Sequence, residues 1–235
     1  MSDRRVISFS VAATAGCYEA DRAAALSGVP ISTVYYWART GLIVPSVSPV
    51  RERLWSYADL MALRICSWLR HKKSTVDGVI RASPMSTVRR TLGLLDARGI
   101  DIWHQDEAGL PASPLLVDRS GQVWIQTDRG MFDSRGRSVL DIPADALELM
   151  APFQVDGERG PDLLRPRATL RIVPSKVSGE PHVIGSRITS RSIAALERRG
   201  LRVQDIADMY NIGVAPVRDA VELEEQLGSQ ARAAA

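Results

Sequence analysis

Apolar and polar residues follow helical periodicity near both ends of the 235-residue chain, and one spacing occurs twice. A small residue is followed four positions later by Gly or Asn, and then by more apolar residues. Gly and Asn readily take the left-handed conformation that ends a helix, and apolar residues three apart bury the inner face of the next helix. The pattern therefore predicts two helix-turn-helix motifs. The matching residues are Ala24, Gly28, Val29, Val34 and Trp37 in the first copy and Ala207, Asn211, Ile212, Val217 and Ala220 in the second.

The first copy predicts a helix over 21–27, a turn at 28–30 and a second helix over 32–39. Ser32 is the expected N-cap of the second helix, and Gly41 is expected to end it. The segments 42–45 and 51–55 flank a Ser/Pro/Val stretch, which favours a β-hairpin wing. A capping box then opens a further helix that runs to about Arg70, with Ser56 as the cap and Asp59 at the third helical position.

The remainder predicts a small sheet and four more helices. Strands are expected at 115–117, 122–126, 138–142 and 170–173, a linker at 154–167, and helices at 86–98, 192–199, 204–210 and about 215–227. The predicted fold is α+β and mainly helical: an N-terminal winged helix-turn-helix, a small antiparallel β region in the middle, and a C-terminal helix-turn-helix domain. The three segments are residues 1–73, 74–168 and 169–235, the last ending in a flexible tail.

Charge is distributed unevenly along the chain. Residues 1–103 carry a net charge of +6, residues 104–165 of −5 and residues 166–235 of +2. A basic N-terminal segment of this kind is typical of a protein that binds a polyanion. No apolar run approaches the length of a membrane span, so we expect a cytoplasmic protein with no membrane partner. Cys17 and Cys66 form no metal-binding or redox motif and are expected to be reduced thiols in or near cores.

The second helix of the first motif has a composition suited to duplex DNA. With Val34 and Trp37 buried, it presents polar and basic side chains, and no acidic residue lies between Arg22 and Arg51. In the major groove Arg pairs with guanine, and Ser, Thr or Tyr contacts base edges or phosphates. One of the two tyrosines is expected to turn inward, and Glu52 to point away from its neighbours. The predicted DNA-binding residues are Ser32, Thr33, Tyr35, Tyr36, Arg39, Arg51 and Arg53.

Residues 18–70 resemble the MerR family of winged-helix DNA-binding proteins. The resemblance implies that the helix over 32–39 enters the major groove and that Arg51 and Arg53 lie on the wing. The chain departs from that family beyond the wing, because Lys72–Ser74 and Ser83-Pro84 interrupt any long dimerising helix. The residues that carry the resemblance are Tyr18, Ala23, Ala24, Leu26, Ser27, Gly28, Val29, the run 32–37, Gly41, Leu42, Ile43, Pro45, the run 54–57, Asp59 and Leu60.

The second motif differs from the first in its charge. Its last helix carries Arg218 and Asp219 and then a series of glutamates, Glu222, Glu224 and Glu225, which we expect to be exposed and to repel phosphate. Residues 170–225 resemble a small family of uncharacterised domains that is similar to antitoxins of bacterial toxin–antitoxin modules, including VapB-type antitoxins. The resemblance rests on Pro174, the run 179–188, Ile193, Leu196, Gly200, Leu201, Ile206, Ala207, Tyr210, Val217 and Ala220.

Together these features predict an antitoxin of a type II module that represses its own operon. Its expected partners are the duplex DNA of its own promoter, a PIN-domain ribonuclease toxin and a second copy of the chain in a homodimer. Arg232 or Arg218 could reach the toxin's carboxylate-rich centre, with arginines of the middle region as competitors. Two alternatives stay open: a MerR-type regulator without a toxin, and a scaffold in which both motifs serve packing. No catalytic constellation, cofactor site or metal site is predicted, and the Asp-x-x-Gly sequences at 118–121 and 133–136 are expected to be turns.

Overall fold

A computed structural model describes most of the chain. The described residues are 15–75, 78–105, 111–127, 130–139, 147–148 and 161–233. They divide into two compact units. One holds the described residues of Met61–Phe153, and the other holds those of Val11–Leu60 together with those of Gln154–Ala235. The second unit thus contains both helix-turn-helix motifs, and we refer to it as the two-motif unit. The three sequence segments given above stay a prediction.

The described residues form a mixed α+β fold, as predicted, with seven α-helices and short antiparallel strands. The helices are α1 Ala20–Ser27, α2 Ile31–Arg39, α3 Tyr57–Arg70, α4 Met85–Arg98, α5 Ser190–Arg198, α6 Val203–Tyr210 and α7 Val214–Ala233. The strands are β1 Lys73–Thr75, β2 Gly78–Ile80, β3 His104–Gln105, β4 Pro111–Ala112, β5 Leu115–Val117, β6 Val123–Thr127, β7 Gly130–Asp133, β8 Ser138–Val139, β9 Leu147–Glu148, β10 Leu170–Arg171 and β11 His182–Val183. Within these helices, none is long and apolar enough to cross a bilayer.

Both predicted helix-turn-helix turns are confirmed. Gly28 follows α1 with a φ of 70°, and Asn211 follows α6 with a φ of 51°. In each motif the amide of the next residue donates back to the small residue of the first helix: Val29 to Ala24 at 3.1 Å, and Ile212 to Ala207 at 3.0 Å. The repeated spacing therefore encodes the same local geometry twice.

The prediction that Ser32 caps α2 is wrong. The carbonyl of Pro30 accepts from the amides of Thr33 and Val34 at 2.8 and 3.0 Å, so α2 begins at Ile31 and Ser32 lies within its first turn. Pro30 is therefore the N-cap, with an extended ψ of 135° and a φ of −52° that its ring fixes. The end of α2 is as predicted, because Gly41 follows the C-cap Thr40 with a φ of 69°.

The capping box before α3 is confirmed and anchors the loop that precedes it. The Asp59 amide donates to Ser56 Oγ at 3.2 Å, and Asp59 Oδ2 accepts from the Ser56 amide at 2.8 Å. The same carboxylate oxygen accepts from the amide and hydroxyl of Ser46 at 2.9 and 2.8 Å. Burial raises the pKa of Asp59, and these hydrogen bonds offset the effect only in part. One side chain therefore fixes both the start of α3 and the entry to the wing.

The middle region contains the predicted antiparallel sheet, with strand order β8-β7-β6-β5-β9. Both Asp-x-x-Gly sequences are turns, as predicted. Asp118 Oδ1 accepts from the amides of Ser120 and Gln122 at 2.9 and 3.0 Å, and Asp133 Oδ1 accepts from the amides of Arg135 and Arg137, both at 2.9 Å. Of the strand expected at 138–142, residues 138–139 are described and pair with β7.

Two predictions for the C-terminal part differ from the structure. Residues 154–160 of the expected linker lie outside the described residues, but Leu163 is fully buried and its carbonyl accepts from the Tyr57 hydroxyl at 2.8 Å. The segment after Leu227, expected to be a flexible tail, continues α7 to Ala233. Ala231, Ala233, Gln230 and Arg232 in this segment have high helix propensity, which favours the extension.

The core of the two-motif unit is built from both ends of the chain. The Tyr18 hydroxyl donates to the Gly179 carbonyl at 2.7 Å, and the Cys17 amide donates to the Ser178 carbonyl at 2.9 Å. Cys17 itself is exposed, so the expectation that both thiols lie in or near a core is wrong for this residue. Cys66 is buried, and burial raises the pKa of its thiol to about 12. The buried apolar residues of the two-motif unit include Leu26, Val34, Trp37, Trp55, Ile193, Ile206, Val217 and Leu223.

Candidate nucleic-acid interface

Helix α2 presents one polar face, which we call the α2 face: Ser32, Tyr35, Tyr36 and Arg39. These residues stand at positions i, i+3, i+4 and i+7, which lie on one side of an α-helix. All four are exposed, whereas Val34 and Trp37 on the opposite side are buried. Thr33 is half-buried at the edge of this face.

Neither tyrosine of α2 is in the core. Tyr35 is 42% and Tyr36 48% exposed, so the expectation that one of them turns inward is wrong. The inner side of this nine-residue helix is filled by Val34 and Trp37, which are its two buried residues. Tyr36 therefore leaves its ring in solvent on the α2 face.

The β-hairpin predicted from segments 42–45 and 51–55 is not formed, because neither segment is a strand. The wing is instead a short closed loop that spans residues 48–54. Ser48 and Leu54 exchange two backbone hydrogen bonds, at 3.2 and 3.0 Å, and form an isolated antiparallel bridge. The pairing with Ser48 ends at Leu54, because the next residue, Trp55, pairs with Tyr18 by two backbone hydrogen bonds of 2.9 Å. The 48–54 loop therefore carries Arg51 and Arg53 as predicted.

Tyr35 joins the α2 face to the 48–54 loop. Its ring meets Trp55 edge-on, with centroids 6.3 Å apart and an interplanar angle of 73°. The guanidinium carbon of Arg53 lies 5.8 Å from the centre of the Tyr35 ring. Because Trp55 is buried, Tyr35 rests against the core at one side and positions Arg53 at the other.

An open groove of about 520 Å³ lies between α2 and the 48–54 loop. Glu52 lines it together with Arg51 and Arg53, so the expectation that Glu52 points away from its neighbours is not met. Glu19 and Asp21, at the start of α1, line the same groove. The surface without carboxylates is therefore the α2 face. The full lining is Glu19, Ala20, Asp21, Ile31, Tyr35, Val50, Arg51, Glu52, Arg53 and Leu54.

A buried ion cluster, which sequence reasoning missed, holds α1 against the C-terminal motif. Arg22 of α1 is 7% exposed and contacts two carboxylates, Glu180 and Glu224. Its Nη2 lies 2.6 Å from Glu180 Oε2 and 2.8 Å from Glu224 Oε1, and its Nη1 donates to Glu224 Oε2 at 2.8 Å. Burial lowers the pKa of Arg22, but the hydrogen bonds and charges of both glutamates outweigh it, and the pKa lies above the ordinary value.

The burial of Glu224 corrects the expected charge pattern of the last helix. Glu222 and Glu225 are exposed, but Glu224 faces Arg22 and also accepts from Ser190 Oγ. Asp219 is half-buried and accepts from the amide and hydroxyl of Thr169 at 3.0 and 2.6 Å. Only part of the acidic series is therefore available to solvent.

Of the two candidate toxin-binding arginines, one has a described side chain and the other has only a described backbone. Arg218 is exposed on α7 and directly follows Val217, the first buried residue of that helix. Arg232 lies near the end of α7, where the backbone is helical, but its side chain is outside the described residues.

Comparison with known proteins assigns both ends of the chain. Residues 18–85 match the MerR HTH family of regulatory proteins, and residues 171–222 match a family described as protein of unknown function DUF433. The N-terminal match covers α1, α2, the 48–54 loop and α3. The chain carries a MerR-family helix-turn-helix domain. Such a domain is a DNA-binding domain of transcription regulators, and here it is joined to a C-terminal DUF433 domain.

The comparisons with whole proteins give less information than the two family matches. No curated protein matches the chain. The crystal structure of Rv2018 from Mycobacterium tuberculosis aligns over 91% of this chain and 98% of its own, with 15% sequence identity and a TM-score of 0.43.

Proposed function

We propose that the protein is a transcription regulator that reads duplex DNA through the α2 face and contacts flanking phosphates through the 48–54 loop. The observation that carries the proposal is the composition of the α2 face. Its hydroxyl groups and its one guanidinium are exposed at helical spacing, on a segment of sequence with no carboxylate between Arg22 and Arg51. The MerR-family domain that contains this face supports the same function.

The predicted residues divide into base-contacting and phosphate-contacting groups in this proposal. In the major groove, Arg39 donates to the two acceptors of a guanine, and Ser32, Thr33, Tyr35 and Tyr36 contact base edges or phosphates. Arg51 and Arg53 neutralise phosphates beside the groove. The chain acts as a cytoplasmic homodimer without enzymatic activity, and it represses its own operon at a palindromic site with half-sites about one helical turn apart.

The proposal extends to an antitoxin role for the C-terminal domain. The DUF433 domain binds a PIN-domain ribonuclease, and an arginine of α7 reaches the carboxylates of its active site. Arg218 supports this part, because it is exposed on a helix whose inner side is already filled by Val217, Ala220 and Leu223. Arg232, near the end of the same helix, is the second candidate.

Fluorescence anisotropy tests the DNA-binding part. Wild-type protein, R39A, R53A and the control R165A are titrated against a labelled duplex from the region upstream of the chain's own reading frame. Arg165 is exposed in the same unit but lies far along the chain from α2. Loss of a bidentate guanine contact costs about 1–3 kcal/mol, so we expect R39A to bind roughly 5–150-fold more weakly, with R165A close to wild type. Equal affinity for R39A and wild type would overturn the assignment of the α2 face.

Co-expression tests the antitoxin part separately. The chain is co-expressed with the product of the neighbouring open reading frame, which we expect to be a small PIN-type nuclease, and a stable complex that R218A weakens without loss of DNA affinity is expected. If the nuclease elutes alone at micromolar concentration, the antitoxin role is overturned while the DNA-binding part stands.

A further inference from the structure

Helix α5 and its C-cap residue Arg199 present a cationic face, which we call the α5 face: Arg191, Ser192, Ala195, Arg198 and Arg199. Arg191 and Arg198 are seven residues apart and nearly aligned on the helix, and Arg199 and Ser192 lie beside them. The three arginines are exposed. The one carboxylate of this fully described helix, Glu197, projects from the other side, next to the buried Ile193 and Ser190.

The arginines at the end of α5 are available for a ligand. Within the described part of the chain, Arg198 and Arg199 form no ion pair and no side-chain hydrogen bond. Arg202, which follows α5 in the sequence, forms an ion pair of 2.7 Å with Asp205, and this pair neutralises part of its positive charge. The pair Arg198–Arg199 is thus a concentrated, unneutralised charge.

The α5 face belongs to the same unit as the proposed DNA-reading helix. Ser190, the first residue of α5, donates through Oγ to Glu224, and Glu224 holds Arg22 in the first turn of α1. Helix α1 packs directly on α2. A chain of two buried polar contacts therefore fixes α5 relative to the helix-turn-helix.

The chemistry of the α5 face favours a phosphate backbone over a protein partner. A stable protein interface needs a core of large apolar side chains inside a polar rim. Between its arginines the α5 face offers only Ser192 and Ala195, which bury little apolar area but let a backbone approach closely. Arginine is also well suited to bidentate contact with phosphate oxygens.

We propose that the α5 face binds the phosphate backbone of duplex DNA and extends the contact made by the N-terminal domain. This inference rests on the proposed DNA-binding function and deepens it. Phosphate contacts carry no sequence information, so the α5 face adds affinity without adding specificity. The DUF433 domain thereby takes part in DNA binding through α5, although its last helix is acidic.

The salt dependence of DNA binding tests the proposal. The dissociation constant is measured by anisotropy between 50 and 200 mM NaCl for wild type, R198A/R199A, R198K/R199K and the control R165A/R171A, each with the upstream duplex and with a duplex of scrambled sequence. The control removes two exposed arginines from the same unit and changes the net charge equally.

The expected results are quantitative. Each phosphate contact contributes about 0.9 to the slope of log K against log salt, so R198A/R199A should lower the slope by about 1.8. The loss of DNA affinity of R198A/R199A relative to wild type should be about tenfold larger at 50 mM than at 200 mM NaCl, by the same relation. This loss should be equal for both duplexes. The lysine variant should retain most of the slope because it keeps the charge.

The outcomes separate the two proposals. A slope for R198A/R199A equal to that of R165A/R171A, with wild type binding the upstream duplex and R39A defective, overturns the α5 face alone and points to a protein ligand for it. Wild-type protein that binds neither duplex overturns the proposed function and the α5 face together. A loss confined to the upstream duplex would also contradict the proposal, because it would indicate base contact.

Discussion

Arg22 and Glu224 form a two-point ion pair in the protein interior although 202 residues separate them along the chain. Their side chains are 7% and 9% exposed, and Glu180 approaches the same guanidinium from a loop. A single arginine of the first helix-turn-helix therefore faces two carboxylates of the C-terminal domain. Buried charges of this kind add little net stability over apolar residues, but the loss of one partner leaves the others uncompensated.

The first prediction is that Arg22→Met strongly destabilises the two-motif unit. Two carboxylates would then be buried without their cation, and the free energy of unfolding should fall by about 3–5 kcal/mol, as for other broken buried pairs. Urea unfolding followed by tryptophan fluorescence measures the change. Arg202→Ala, which breaks the exposed pair with Asp205, is the matched control and should leave the midpoint almost unchanged. Similar midpoints for the two variants would show that the buried cluster contributes nothing.

The second prediction concerns pH. Burial alone would raise the pKa of Glu224, but the hydrogen bonds and charge of Arg22 lower it below its ordinary value of 4.5. A carboxyl whose pKa is lower in the folded state stabilises the fold above the unfolded pKa, and this contribution is lost as the pH falls through the folded pKa. The stability difference between wild type and Glu224→Gln should therefore be largest near pH 7 and shrink below about pH 4.5.

Unfolding curves of both proteins between pH 7 and pH 3 test this expectation. Burial raises the pKa of Asp59, so the contribution of Asp59 to the free energy of unfolding falls as the pH rises, opposite to that of Glu224. Asp59 is present in both proteins, and its contribution cancels in the difference. A difference that stays constant with pH would mean that Glu224 is not ionised against Arg22 in the fold.

The sequence predicts those features whose signals are local. The capping box of Ser56 and Asp59 and the left-handed residues Gly28 and Asn211 depend on neighbours within five positions, and the structure has them as predicted. The resemblance to the MerR family is equally local, since its residues lie within one segment, and it is confirmed over residues 18–85. The residues of the α2 face stay predictions as DNA contacts, although they share one exposed side of the helix.

The sequence does not predict features that depend on distant partners. The burial of Glu224 requires Arg22, and nothing near either residue in the sequence indicates the other. Tyr35 is another case, because helical spacing alone does not decide whether an aromatic side chain at the edge of a buried stripe enters the core. Its position depends on Trp55, which arrives from beyond the wing.

The third prediction is that Gly179→Ala is more damaging than Gly185→Ala. Both glycines have positive φ, 81° and 78°, so alanine is strained at both, by about 1–2 kcal/mol. At Gly179 a Cβ would also overlap the hydroxyl of Tyr18, whereas at Gly185 it would meet no atom within 4 Å. Tyr18 would have to move, and its hydrogen bond to the Gly179 carbonyl would be lost.

Thermal unfolding of the two variants separates backbone strain from steric overlap. We expect Gly179→Ala to lower the free energy of unfolding by at least 1 kcal/mol more than Gly185→Ala, roughly the value of the lost buried hydrogen bond. A double variant Gly179→Ala with Tyr18→Phe should recover part of the loss, because the overlapping oxygen is removed. Equal destabilisation by the two alanines would contradict a close approach of Tyr18 to Gly179.

The fourth prediction is that Tyr35 and Arg53 act as a coupled pair in DNA binding. The guanidinium of Arg53 lies 5.8 Å from the centre of the Tyr35 ring, and a cation–π contact at a partly exposed site contributes about 0.5–1 kcal/mol. Tyr35→Ala should therefore release Arg53 from the position in which it meets a phosphate. Arg53→Ala should cost less affinity in the Tyr35→Ala background than in wild type, by about two- to fivefold. Tyr35→Phe is the control, because it retains the ring and should retain the coupling. Dissociation constants of the single and double variants for the upstream duplex give the coupling free energy directly, and strictly additive effects would mean that the ring does not position Arg53.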